Sequence, residues 1–163
     1  MSLNNEQLTT LRDYILSVPA WAALPVNSDT SYFIADELRK EAAPAFVVWR
    51  SSVTQDEIMQ NGFDWVRVDN LSVGKARIWE WLFDNQSATL NPSKINVRAG
   101  IDECWKGTSA DLAVRAAVYV HCKRNANVLE KLFSTGAGTD ASPATMTVEG
   151  GLSYSEVDQA RAL

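Results

Sequence analysis

The chain has little of what catalytic and metal centres are usually built from. Among its 163 residues there is one histidine, His121, and there are two cysteines, Cys104 and Cys122. No CxxC, HxxxH or HExxH spacing occurs, so no local motif assembles the four ligands that zinc prefers. Two thiols are also too few for the disulfide framework of a small secreted domain, and reduced cysteines in a cytosolic setting are expected. The opening MSLNNEQLTT lacks a basic segment followed by an apolar run, so no secretory signal is expected. No stretch approaches the roughly 18 consecutive apolar residues of a membrane span. Positive charge is in deficit, with 15 Lys and Arg against 20 Asp and Glu. A net charge of −5 argues against a protein whose main work is gripping phosphate backbones, because that affinity comes from cations releasing counterions. Glycine and proline are sparse, at 8 and 5. With them go repeats, low-complexity tracts and long linkers.

What is present suits a folded, mainly α chain of one domain. Apolar residues make up 46% and include six tryptophans. The spacing of Leu8, Leu11, Ile15 and Leu16 predicts a helix over 5–17, ended by Pro19. Asn27, Ser28 and Asp29 are good cap types for a second helix carrying Phe33, Ile34 and Leu38 as far as Pro44. Ala45–Trp49, AFVVW, reads as a short strand. Thr54 with Glu57 has capping-box spacing, and the short helix it opens would close at Gly62. A helix over 70–85 places Val73, Ile78, Trp81 and Leu82 on one stripe, widened by Trp79 and Phe83. Asn91-Pro92 starts another, running to about Trp105. Thr108 and Asp111 reopen the chain after Gly107 into the longest helix, expected to reach Ser134. Gly136-Ala137-Gly138 has the reverse order of a phosphate loop and reads as a C-cap and turn. Beyond it lies a loop or extended arm with a β-like run over 145–148. A short terminal helix follows, opened by Ser153 and Glu156, and a helix so short needs something to dock on.

The densest stretch, NVRAGIDECWKGTSADLAVRAAVYVHCKR from Asn96 to Arg124, holds both thiols and the imidazole. His121 and Cys122 are adjacent in a helix and project about 100° apart, so they do not easily chelate one metal. Cys104 could be a nucleophile activated by His121 if two helices pack antiparallel. The competing reading is that both cysteines are small core hydrophobes. Trp49 and Trp65, in strand-like or loop segments, are candidate exposed anchors, with burial as the alternative. Leu112, Val120, Leu129, Trp81 and Leu82 are expected in the core.

The segments FVVWRSSVTQDEI, GFDWVRVDNLSVGKARIWEWLF, NPSKINVRAGIDECWKGTSADLAVRAAVYVHCKRNANVLEKLFSTGAGTDASPATMTVEG and LSYSEV resemble, in that order, the head-to-tail connector proteins of tailed bacteriophages, the adaptor or neck class. The resemblance covers about residues 8–157. It implies a single-domain helical bundle over 1–136 and an extended C-terminal arm with a short terminal helix over 137–163. It also implies a structural role in the virion neck without catalytic residues, cofactor or metal. The implied partners are the portal protein, neighbouring copies in a dodecameric ring, and the next neck or tail protein, with DNA passing transiently through an acidic lumen and no membrane. On this reading the arm is mobile in the free subunit and orders on assembly. Contacts are then expected from Trp49 and Trp65, and from Met146, Val148, Leu152, Tyr154 and Val157 of the arm. The alternatives are a stopper or other tail-completion protein, a small thiol enzyme using Cys104 or Cys122 with His121, and a phage-encoded regulator that binds a host protein through exposed tryptophans.

Overall fold

Helix α1, Asn5–Ser17, begins where Asn4 can cap it. The Asn4 carboxamide accepts from the Gln7 amide at 2.9 Å, and the Asn4 amide donates to the Gln7 side chain at 3.0 Å. The computed structural model describes residues 2–60, 63–84 and 88–163. In chain order the remaining elements are α2 (Pro19–Ala22), α3 (Ser28–Arg39), β1 (Val47–Trp49), β2 (Val53–Thr54), α4 (Gln55–Ile58), α5 (Trp65–Asp69), α6 (Val73–Phe83), β3 (Thr89–Leu90), α7 (Ile95–Cys104), α8 (Ser109–His121), β4 (Lys123–Asn125), α9 (Val128–Leu132), β5 (Ser134–Thr135), β6 (Thr145–Met146) and α10 (Tyr154–Arg161). The fold is mainly α. Among the described residues the strands form only three two-stranded sheets, β1 with β4, β2 with β3 and β5 with β6.

The chain divides into two units rather than a bundle followed by an arm. One comprises residues up to Val47 together with Asn125–Leu163, and the other is Val48–Arg124. The boundary expected at Gly136 is therefore corrected. Everything beyond it belongs to the first unit, for a reason of burial: Val148, Leu152, Val157 and Ala160 share a core with Leu8, Leu11 and Ile15 of α1, Ile34 and Leu38 of α3, and Leu129 of α9. Helix α10 packs on α3 and α1. Full burial of each large aliphatic side chain stabilises by about 1.5–3 kcal/mol. Polar ties add to this. The Glu130 carboxylate accepts from the Gly150 amide at 2.9 Å, the Asn127 carboxamide donates to the Gly150 carbonyl at 2.8 Å, and the Arg39 guanidinium donates to the Leu152 carbonyl at 2.7 Å. The terminal helix does dock, and its dock is its own chain.

In the same unit the turn after β5 is fixed by Gly138, at φ +66°, where a Cβ would lie 2.0 Å from the Phe46 ring. Its carbonyl accepts from the Val47 amide at 2.8 Å. Only glycine has both the conformation and the clearance this turn needs.

The second unit is packed differently. Trp79 and Phe83 of α6 meet Ile101 and Cys104 of α7, Trp105, and Val114 and Val118 of α8. Trp79 stands edge-on to Trp105 with centroids 5.3 Å apart, and Phe63 stacks on Trp79 at 6.0 Å. The i, i+3, i+4 rule that sets helical faces applies to α8, but with a register other than the expected one. Its buried positions are Asp111, Val114 and Val118, while Leu112 and Val120 are 42% and 67% exposed. On α6, Trp81 is likewise 65% exposed and Leu82 half-buried, because Trp79 and Phe83 take the interior. Leu129 is fully buried as expected.

Helix α8 also stops at His121, well short of Ser134. The chain leaves the helix into β4, and Asn127 then caps α9 by accepting from the Glu130 amide at 2.8 Å. Helix α5 is an element that hydrophobic spacing did not predict. Helix α7 starts at Ile95 rather than at Asn91-Pro92, since the Asn91 side chain accepts from the Ser93 amide and makes a turn first. The expected stop at Gly62 and the last residue of the helix expected over 70–85 lie outside the described residues.

Candidate functional site

The thiol and imidazole stretch is the first candidate, and its geometry is that of a core. Cys104 and Cys122 are both fully buried. Burial pushes the Cys104 thiol up to about 11, against a smaller opposing pull from Lys75, and pushes Cys122 up to about 12, against Arg50 and Lys123. At neutral pH both stay protonated, whereas a nucleophilic cysteine needs its thiolate. The Cys104 Sγ donates to the Lys75 carbonyl at 3.4 Å. His121 closes α8, and its backbone carbonyl accepts from Arg50 at 3.1 Å. Among the described residues no hydrogen bond joins the His121 imidazole to either thiol, and no three His, Cys, Asp or Glu side chains stand close enough to share a metal.

The charged groups of this unit serve its architecture. Asp111 is held to about 2, first by its hydrogen bond with the Arg67 guanidinium and then by the Thr108 hydroxyl and amide. The Thr54 amide, and then Arg50, hold Glu57 at about 2 as well. Both are N3 residues of capping boxes, so the carboxylate is fixed where the helix N-terminus favours negative charge.

The second candidate is surface. The residues expected to meet partners separate into three groups. Val148, Leu152 and Val157 are buried at 2%, 3% and 0% exposure and cannot reach a partner while the first unit is folded, which corrects that expectation. Trp49 and Met146 are half-buried, Trp49 lying beneath the Arg98 guanidinium at 4.8 Å from its ring centroid and beside Tyr119 at 5.5 Å. Trp65 and Tyr154 are exposed, at 56% and 36%.

Spacing missed a further set of exposed residues. In the first unit Tyr32 and Phe33 stand out from α3, and Tyr154 stacks on Tyr32 with centroids 4.2 Å apart. An apolar groove of about 380 Å³ lies between Ile15, Leu16, Trp21, Leu24 and Val26, with Arg161 at its edge. The Arg161 guanidinium is committed there, donating to the Leu24 and Pro25 carbonyls and to the Thr30 hydroxyl at 2.8–3.0 Å. In the second unit Val73, Trp81, Ile95, Leu112 and Val120 are exposed. The signal for α3 was present in the sequence. Ser31, Ile34, Ala35 and Leu38 already complete one helical face, which leaves Phe33 for the other.

Comparison of the chain with protein-family profiles, with curated proteins and with solved structures found no match. No helix among the described residues is long and apolar enough to cross a membrane.

Proposed function

We propose that this chain is a structural component of a tailed-phage particle, a head-to-tail adaptor whose copies form a ring beneath the portal and join it to the next neck or tail protein. Two things support the reading. The first is the ordered resemblance of its segments to that class. The second, which carries it from the geometry, is the number of large apolar side chains left in water: thirteen among the described residues, distributed over both units and including Tyr32, Phe33, Trp65, Trp81 and Tyr154. Single exposed apolar residues need no explanation, but exposed aromatics in such number are the usual material of contact surfaces.

The finer picture changes in one respect. With Val148, Leu152 and Val157 held in the first unit's core, the portal contact is assigned to the exposed rim around the docked segment, Tyr154 above all, and to Trp65. Truncation at Gly136 would remove core residues and is therefore a poor test. The direct measurement is co-sedimentation of the full chain with the cognate portal assembly, with Trp65→Ala and Tyr154→Ala variants alongside. Saturation near about one copy per portal subunit, as matched rings require, with weaker binding by a variant whose melting is unchanged, is the expected outcome. A full chain that does not sediment with the portal would remove the adaptor reading.

A further inference from the structure

Among the described residues two helix faces are left largely exposed, one of them touched only by Tyr154 stacked on Tyr32, and they carry opposite unpaired charges. On α3 the residues Asp29, Tyr32, Phe33 and Asp36 follow the i, i+3, i+4, i+7 pattern, two residues before the set that α3 buries. At about 100° per residue this places them roughly opposite the core. All four are exposed. Asp36 pairs with Arg39 at 3.1 Å, whereas Asp29 has no partner among the described residues. On α6 the residues Val73, Arg77 and Trp81 recur at i, i+4, i+8, away from the buried Trp79 and Phe83. Arg77 too has no hydrogen-bond or ion-pair partner among the described residues. Glu80 shares the exposed side of α6 and tempers its charge, so aromatic surface must carry most of any contact.

The charge balance of the two units points the same way. The first unit has five Lys and Arg against eleven Asp and Glu, a net −6, and the second has ten against nine, a net +1. We infer that the α3 face of one copy docks on the α6 face of a second copy, with Trp81 against Tyr32 and Phe33, and Arg77 facing Asp29. A guanidinium over a tyrosine face and beside a carboxylate is a favoured pairing for arginine. Because the two faces are different patches of one chain, the contact is heterologous and each copy can hold two neighbours. The inference rests on the adaptor reading in that it names the faces by which neighbouring copies would meet.

The test is the assembly state of the full chain by sedimentation equilibrium, with Phe33→Asp and Trp81→Asp variants. Both positions are exposed, and unchanged circular dichroism and melting establish that each variant is folded. The native chain should form species larger than dimers, and each variant alone should associate more weakly by about tenfold or more. An equimolar mixture of the two variants should stop at dimers, since one intact α3 face then meets one intact α6 face. As a second pair, Asp29→Arg and Arg77→Asp should each weaken association, and the double exchange should recover it. The idea is overturned if the native chain stays monomeric at about 1 mM, where a contact of millimolar affinity is half-formed. It is equally overturned if the variants fail to pair with each other, or if Trp81→Asp assembles as the native chain does. A monomeric chain that still saturates the portal would remove this contact and leave the adaptor reading. Assembly through these faces without portal binding would do the reverse.

Discussion

In the unit closed by α10 the interior is aliphatic, drawn largely from four helices, with Phe133 the one buried aromatic among the described residues, whereas in Val48–Arg124 the rings of Trp79, Phe83 and Trp105 share the interior with two thiols and with aliphatic residues such as Ile58, Leu90 and Ile101. The difference shows two ways of closing a small core. An aliphatic core is held by complementary shape, and here it draws on residues about 150 positions apart, such as Leu3, whose amide donates to the Glu156 carboxylate at 3.3 Å. An aromatic core gains edge-to-face geometry between large rings, but each indole brings an N–H that needs an acceptor. Trp105 illustrates the cost: its Nε1 is buried with no hydrogen-bond partner among the described residues.

Truncation breaks the comparison most sharply. Trp105→Ala is expected to lower the unfolding free energy by about 3–5 kcal/mol, and Leu129→Ala by about 2–5 kcal/mol. The two separate by spectrum. Trp105 stands edge-on to both Trp79 and Phe63, so its loss should remove much of the near-ultraviolet dichroism of the folded protein, while Leu129→Ala in its folded state should retain it. Near-native stability for either variant, measured by denaturant titration, would count against the core to which that residue is assigned.

These contrasts also mark how far local sequence could be read. The capping boxes Thr54 with Glu57, Thr108 with Asp111, and Ser153 with Glu156 were legible because each is a contact between residues three apart. Helix α1 was legible for the same kind of reason. The face of α8 was not. Its alanines make several registers look apolar, and the face that is buried includes Asp111, which pairs with Arg67, 44 residues away. The docking of Val148, Leu152 and Val157 depends on contacts with α1 and α3 and leaves no periodic trace in a loop. Of the residues weighed as surface contacts, Trp65, for which burial was the alternative, and Tyr154 of the terminal segment are exposed. Trp81, Leu112 and Val120 were assigned to the interior because apolar character alone does not say which of two opposite faces is covered.

A smaller effect sharpens the comparison within the first unit. Gly138→Ala forces a non-glycine residue to φ +66° and drives its Cβ into the Phe46 ring, and overpacking of that kind costs about 1–3 kcal/mol. Gly150→Ala, at φ +92° with open space around the Cβ position, meets backbone strain alone and should cost less. Equal melting shifts for the two would mean that Phe46 yields freely and does not fix the turn.

The smallest expected effect concerns pH, and it falls on the second unit. Asp111 is held at about 2 by Arg67 and Thr108, below its ordinary carboxylate range near 4. A group whose folded pKa is depressed contributes stability that is fully present above its unfolded value and is lost as pH falls through the folded one. The window is therefore about pH 4 down to about 2, and Glu57, held at about 2 in the same unit, acts in the same window and the same direction. In the Asp111→Asn variant that slope should flatten while the loss at pH 7 remains, because the amide keeps the shape and discards the charge that Arg67 pairs with. The measurement is thermal unfolding of the native chain and the variant between about pH 2 and 7, followed by the tryptophan fluorescence of the second unit. An unchanged slope would mean that the Arg67 guanidinium does not hold Asp111 ionised, and that the α8 N-terminus is fixed by its backbone cap alone.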